Sequence, residues 1–395
     1  MKILHTADWH SRDKDIDEIR KCLEFLVAEA REEQPDLIIH AGDIWDSRDV
    51  KLDTKAVKLA VRTISELADI APFVTVTGTH SHEATAPEIL SMVRGQNPIH
   101  VSTQPEQIYL LDGRFTGDIP EPPYEPEIIL SMVPQPTKEY FARTTQSSIS
   151  ESDQEIGGLL GAIFAGFGGM AAQWRRPHVL VGHFTVKGSV TSTGQQLIGR
   201  EIEVSREHLE LARADLVCLG HIHKAQEVAP NVFYSGSIYR ENWGEQEEKG
   251  FWLHGWEDGQ PWSEFVETPT KKLLRAPADL TLEDVLSTDS ALYMHMCSFS
   301  DQEIKDASVR VELKVWQDEA AKISKEGVEA LLKDQGAAEV DIRIIRVPRE
   351  TVRSANIMKL HSLRDKIQEL ASTRGEEVAP EILEKADQLE AGGVA

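Results

Sequence analysis

Histidines and aspartates in this 395-residue chain recur just behind apolar runs. "ADWH" supplies Asp8 and His10, "AGDIWD" supplies Asp43 and Asp46, and "TGTHSHE" supplies His80 and His82. "VGHF" adds His183, and "GHIH" adds His221 and His223. Imidazole and carboxylate without thiol suit Mn, Fe, Zn or Co better than Mg or Ca, which prefer oxygen-rich shells. The set exceeds what one ion needs. Two ions about 3.5–4 Å apart, bridged by one carboxylate, use it economically, lowering the pKa of a bound water and neutralising a phosphoryl group. A lone strand-end histidine is more often a satisfied polar residue, and Asp43 after Gly42 fits an ordinary turn. Five such groups in order, each behind a strand, do not fit that bland reading. His5 and His40 lie inside strands and read as core or supporting groups. His100, His178, His208, His254, His295 and His361 have no partner that the sequence names.

The elements that position these residues are legible as alternating strands and helices. "MKILHTAD" is a strand candidate. Ile16, Ile19, Leu23, Leu26, Val27 and Ala30 form a helical stripe that Pro35 ends. "DLIIHAGD" is a second buried strand, a helix follows from about Asp53 to Ile70, and "FVTVTG" is a third strand. This βαβαβ pattern predicts an α/β domain. "GDIPEPPYEPE" reads as a loop, and strands follow in "IILSMV", "HVLVGHFTV", "DLVCLGHIH", "VFYSGSIY" and "GFWLHGW", with a short helix over Arg206–Ala214. Loops leaving such strands converge on one sheet edge. The pattern changes near residue 268 to a smaller α+β unit. From about Thr351 the tail reads as helical. Leu360, Leu363, Ile367 and Leu370, then Ile382, Ala386 and Leu389, suit packing against another helix or coiled coil, or back on their own domain.

Composition is that of a globular protein, 41% hydrophobic and 27% charged. Cys22, Cys218 and Cys297 form no CxxC pair, which argues against a disulfide framework and for a reducing, cytoplasmic setting. "MKILHTADWH" turns polar too soon for a secretory signal. The apolar run Gly157–Ala172 falls short of the ~20 residues that span a bilayer and reads as a buried helix. The net charge of −24 is unfavourable for loose binding to a polyanion, although bound cations reverse the sign locally.

The order D-x-H, G-D, an H-[DE]-like segment, G-H and G-H-x-H resembles the calcineurin-like metallophosphoesterases. Within them, "HTADWH", "AGDIWD", "LGHIHK" and "YSGSIYRENWGEQEEKGFWL" resemble the SbcD-type DNA repair nucleases of the Mre family. The resemblance covers residues 1–255 in motif and the rest in layout. It implies a four-layer αββα sandwich over residues 1–267, a small capping domain over 268–348, and helices over 349–395 that dock on the coiled coil of an SbcC-type ATPase. It implies two divalent ions, most simply Mn²⁺, and cleavage of DNA phosphodiesters: 3′→5′ exonuclease on duplex ends and endonuclease on single strands. It also implies a homodimer. Carried over by motif, Asp8, His10 and His223 hold the first ion, Asp43 bridges, and His183 and His221 hold the second.

One position departs. The family has G-N-H-[DE], and this chain has Gly78-Thr79-His80-Ser81-His82-Glu83. Counting from Gly78 puts Thr79 at the metal and His80 in the catalytic role. Anchoring on Glu83 puts Ser81 at the metal and His82 in the catalytic role, the reading that keeps the H-[DE] pair. A histidine there can protonate the departing 3′ oxygen near neutral pH. Arg175, Arg176, Lys187, Lys224 and Arg240 are candidate phosphate contacts. Two other functions fit the same residues, a phosphodiesterase for small substrates and a weakly active scaffold that holds the ATPase on DNA.

Overall fold

The computed structural model describes residues 1–84, 86–137, 153–191, 202–257, 259–275, 304–317, 320–322, 325–348 and 357–392. Its contacts divide the chain into two units, Met1–Leu274 with Asp306–Ser308, and Arg275–Lys305 with Val309–Ala395.

The first unit opens with β1 (Lys2–Thr6), α1 (Ile16–Glu33), β2 (Leu37–His40), α2 (Lys55–Ala68), β3 (Phe73–Val76) and β4 (Ile99–Ser102). The Thr54 hydroxyl caps α2 by accepting from Val57 N. Gln34, in the left-handed region, ends α1 just before Pro35. A hairpin of β5 (Glu106–Leu111) and β6 (Arg114–Thr116) follows, then β7 (Ile128–Val133), α3 (Asp153–Ala171), β8 (His178–His183) and the short β9 (Thr185–Val186). Next come β10 (Glu203–Val204), α4 (Arg206–Glu210), β11 (Leu216–Gly220), β12 (Gln226–Ala229) and β13 (Val232–Tyr234). The hairpin β14 (Gly250–Glu257) and β15 (Gln260–Glu267) and the short β16 (Leu273–Arg275) close the series.

Two large sheets result, ordered β15-β14-β1-β2-β3-β4 and β12-β13-β11-β8-β7-β5-β6. The pairs β1–β2, β2–β3 and β3–β4 are parallel, as are β7–β8, β8–β11 and β11–β13. Side-chain alternation explains the layers. Ile3, Leu37, Ile39, Val179, Val181, Leu216 and Cys218 join one buried cluster drawn from both sheets. Their neighbours Leu4 and Ile38 turn instead to the apolar faces of α1 and α2. Leu180, Val217 and Leu219 turn to Ile156, Leu160 and Phe164 of α3 and Leu209 of α4. These central strands are therefore apolar on both faces, and the layers run helix, sheet, sheet, helix, as the family resemblance implies. The α3 run is amphipathic in practice: Leu160 and Phe164 are buried while Gly158, Ala162 and Ala165 are exposed. Among the described residues no helix is long and apolar enough to cross a membrane.

In the second unit, β17 (Ser308–Trp316), α5 (Lys325–Asp334) and β18 (Glu339–Val347) form the α+β part. Val311 and Leu313 of β17 and Leu332 of α5 are fully buried. Two helices follow, α6 (Leu363–Arg374) and α7 (Pro380–Gly392). They pair through the Arg364–Asp387 ion pair, with Ala371 and Ala386 buried and Leu370, Ile382 and Leu389 exposed. Residues 276–303, with His295 and Cys297 among them, lie outside the described residues.

Candidate metal centre

The parallel strands β1, β2 and β3 end side by side, and the chain leaving each is tied to its neighbour. Asp8 N donates to Gly42 O at 3.0 Å, His10 N to Asp43 O at 3.1 Å, and Ser11 N to Ile44 O at 2.8 Å. The Glu83 carboxylate, fully buried, accepts from Gly78 N at 2.5 Å, Ile44 N at 2.7 Å and Asp43 N at 3.3 Å. It thereby clamps the turn behind β3 onto the loop behind β2. Two glycines are required by close approach. A Cβ on Gly78 would lie 2.2 Å from Asp43 Oδ1, and one on Gly42, at φ +93°, would lie 2.5 Å from His183 Nδ1.

The facing sheet delivers the rest. His183 ends β8, and its Nδ1 lies 2.7 Å from Ala41 O, so Nδ1 carries the proton and Nε2 is the ring's free donor atom. That Nε2 lies 3.2 Å from Asp43 Oδ2 and 3.2 Å from Thr79 Oγ1. His221 N donates to both Asp8 oxygens, at 3.0 and 3.1 Å. Asp8, His10, Asp43 and His221 all adopt left-handed backbone, with φ of 51°, 40°, 60° and 93°. None is glycine, and such strain persists where the surrounding fold dictates the aim of a side chain.

Two triads of ligand atoms result, each with its atoms within 4.8 Å of one another: Asp8, His10 and His223, and Asp43, His183 and His221. His10, Asp46 and His82 form a third such set. The triads abut, since the His10 and His223 rings lie 4.7 Å apart and His10 Nε2 is 3.7 Å from Asp43 Oδ2. Against the penalty of burial, Asp46, Glu241, Asp43 and Asp8 push the His10 imidazole up to about 10. Burial likewise opposes a charge on His183, but Asp43 and Asp8 outweigh it and raise the ring to about 9. Burial, and then the charge of Asp43, pushes the Glu83 carboxyl up to about 7. A buried place where carboxylates hold protons on two imidazoles carries excess negative charge. Both His10 nitrogens lack a hydrogen-bond partner among the described residues. Orphaned donor atoms, surplus negative charge and a mixed imidazole–carboxylate set fit divalent cations such as Mn²⁺.

The irregular turn resolves differently from either alignment. Thr79, not Ser81, meets the second triad, through its hydroxyl on His183 and its N–H on Asp43 Oδ1. His82 Nδ1 is 3.0 Å from Asp43 Oδ2, whereas Ser81 and His80 are exposed. The turn is tight enough, with His82 N and Glu83 N both donating to Thr79 O, to bring Thr79 and His82 in together and turn the residues between them outward.

The basic candidates divide. Lys224 follows His223 directly and is half-buried, and Lys187 is exposed four residues beyond His183. Arg175 and Arg176 precede β8, at the end opposite His183, roughly 17 Å away along a six-residue strand. Arg176 pairs there with Glu125 at 2.7 Å. Arg240 is committed to backbone carbonyls, Glu247 O at 2.8 Å and Lys271 O at 3.2 Å. Arg175 and Arg176 are thus not brought to the centre, and the Arg240 guanidinium is taken up by carbonyls. Sequence reasoning gave Asp46 no role and left out Glu241, Glu245 and Lys249. Glu245 Oε1 lies 3.6 Å from His223 Nδ1, and buried Lys249 pairs with Glu245 at 2.9 Å and donates to His223 O at 2.9 Å. The run "WGEQEEKG" was the available signal, since acidic residues flanking a buried lysine need partners.

The chain is similar in sequence to proteins of known kind. The D component of the nuclease SbcCD from Staphylococcus epidermidis is 26% identical over 266 residues, 64% of this chain and 65% of that protein. Its counterpart in Staphylococcus saprophyticus is 25% identical over 264 residues, 64% of each chain. This chain thus matches about 65% of the length of those relatives. The solved structure of a dimetal phosphatase from Danio rerio aligns at 11% identity with a TM-score of 0.42, covering 68% of this chain and 96% of that one. The sequence model of the calcineurin-like phosphoesterases matches residues 1–225, from the first strand through His223. This chain therefore belongs to the calcineurin-like phosphoesterases, a family of metal-dependent hydrolases.

Proposed function

We propose that this chain is the nuclease subunit of an SbcCD-like complex, hydrolysing DNA phosphodiesters in end processing. The observation that carries the reading is the pair of abutting triads joined at Asp43, with His82 against the same carboxylate. Asp8, His10 and His223 would hold one ion. Asp43, His183 and His221 would hold the other, with the Thr79 hydroxyl in place of the family's amide. Bound Mn²⁺ supplies a water of lowered pKa and neutralises charge on the phosphate oxygens. His82 is the histidine of its turn that both touches the cluster and reaches solvent, its side chain 35% exposed. With Nδ1 held by Asp43, its Nε2 hands a proton to the departing 3′ oxygen. Glu83 keeps the turn and Asp43 in register. Lys224, next to His223, and Lys187, four residues beyond His183, would meet phosphates near this edge.

The remaining parts extend the same reading. Residues 268–348 act as the cap and 349–395 as the docking segment for an SbcC-type coiled-coil ATPase. Exposed Leu370, Ile382 and Leu389 on a helix pair that already buries Ala371 and Ala386 support that role. A homodimer and a cytoplasmic setting belong to the same proposal. The net charge of −24 favours a second reading, a phosphodiesterase for small substrates. Purified protein with Mn²⁺ is to be tested on end-labelled duplex and on bis-p-nitrophenyl phosphate. Mononucleotides from the duplex support the nuclease, and turnover of the small ester alone supports the second reading. Silence on both leaves a scaffold and sinks the catalytic assignment.

A further inference from the structure

The loop between β13 and β14 carries a carboxylate that the family's ligand pattern does not account for. Glu241 Oε1 is buried and lacks a hydrogen-bond partner among the described residues. It lies 3.8 Å from His10 Nε2 and 4.0 Å from His223 Nδ1. Those are ring nitrogens of two of the three residues assigned to the first ion, and His10 Nε2 is likewise unpartnered among the described residues. Ligand atoms bound to one ion at ~2.0–2.2 Å stand about 3–4.4 Å apart, so the separation from His10 Nε2 fits a shared ion, while His223 Nδ1 has the nearer Glu245 Oε1 at 3.6 Å. The other oxygen has its own partner, with Oε2 3.6 Å from Arg12 Nη1. Arg12 is itself fixed on Asp15 at 2.6 Å and Asp46 at 2.7 Å. The loop is braced from behind as well: Glu241 N donates to Glu245 Oε2 at 3.1 Å, and Glu245 is paired with buried Lys249. An acidic side chain with one oxygen beside Arg12 and the other, unpartnered among the described residues, beside the unpartnered His10 Nε2 suits a cation between them.

We propose that Glu241 is an additional carboxylate ligand of the first metal ion, which makes that site the tighter of the two. This rests on the two-ion reading above. The first ion then has Asp8, His10, His223 and Glu241. The second has Asp43, His183 and His221 with a hydroxyl where the family has an amide, and a hydroxyl is the weaker donor. The chain accordingly fills its sites in order, first ion before second.

The test is Mn²⁺ titration by calorimetry, with bound manganese counted by elemental analysis, on the full chain and its Glu241→Gln and Glu241→Asp variants. The expected result is two affinity classes in the unaltered protein and a loss of tenfold or more in the tighter class alone for Glu241→Gln. Glu241→Asp keeps the charge but withdraws the oxygen by one methylene, and is expected to lose affinity while keeping its metal-free melting temperature. This second variant covers the case in which Glu241→Gln does not fold. If both classes are unchanged in the variants while melting temperatures fall, Glu241 serves only as the partner of Arg12 and the proposal is overturned. If the unaltered protein binds no Mn²⁺, the two-ion reading itself fails, a result distinct from the first.

Discussion

Left-handed backbone occurs at both ends of the parallel strands, for opposite reasons. At the amino ends it belongs to Gln34 and Arg213, residues outside the core that follow α1 and α4. Gln34 N donates to Ala30 O, an ordinary way to close a helix. Three charged groups at that end have partners of their own. Lys2 Nζ meets Glu33 at 2.7 Å, Asp215 accepts from His178 N at 2.8 Å, and Arg176 meets Glu125. At the carboxyl ends the left-handed residues Asp8, His10 and Asp43 are buried, and they carry the ligand atoms. Carboxylates there outnumber the cations near them. The same torsion thus marks chain reversal at one end and the aiming of chemistry at the other.

The hardest way to break this contrast is at the shared carboxylate. Asp43→Asn should reduce phosphodiester cleavage by at least ~10³-fold and remove the second class of bound Mn²⁺, measured by calorimetry beside activity. Near-normal ion binding by this variant would show that the carboxyl-end crowding serves some other purpose. His82→Ala should lose about 10²–10⁴-fold in turnover while keeping its Mn²⁺, the range of a missing general acid. His80→Ala should change turnover by less than about fivefold, given that a group outside the centre supplies no general acid catalysis. A dead, metal-replete His80→Ala would reassign the proton donor.

Smaller effects concern what supports each end. Lys249→Met leaves Glu245 and Glu247 without their buried cation and should destabilise the fold by roughly 3–5 kcal/mol, read as a lower Tm and denaturant midpoint. An unchanged Tm would mean that the acidic loop stands without it. In mid-sheet, burial lowers the pKa of His254 and takes His5 to about 3, so both rings fold neutral. The unfolded chain binds their protons below its ordinary value near 6.5, and stability is lost as pH falls through that value. The imidazole NMR signals of these two rings should not titrate between pH 7.5 and 5.5, and a ring that takes up a proton near 6.5 would contradict neutral burial. Arg175→Ala and Arg176→Ala, at the satisfied end, should leave cleavage within about twofold, as exposed ion pairs contribute little. A large loss would place substrate far from the ligand edge.

The first βαβαβ run and the ligand set are readable in the sequence for physical reasons. Double-sided apolar strands, the Thr54 cap and Pro35 each leave a local signature. The β6 strand and β15 leave less, because Arg114, Gln260 and Glu264 break the apolar pattern on strands that are largely exposed, and β5 offers only a short apolar run behind Glu106 and Gln107. Asp8, His10, Asp43, His183, His221 and His223 stand out because each follows a strand. Glu241 and Glu245 do not, since acidic residues in a loop have no period and look solvated until the fold closes over them. Arg240 illustrates the reverse error: a cation beside a motif looks ready for phosphate, and only three dimensions show it bonded to carbonyls. Thr79 and His82 come in together because the turn folds back on itself, a geometry that neither linear alignment contains.

The left-handed Asp8, His10 and Asp43 carry one further consequence, for anyone who would improve this protein. Glycine is the residue that these torsions favour, so replacing Asp43 by glycine relieves backbone strain and also removes a buried negative charge. A laboratory selection for heat resistance alone, run without metal, would therefore erode the centre position by position while leaving the sandwich intact. The ligands are kept only under a selection that asks for the ion.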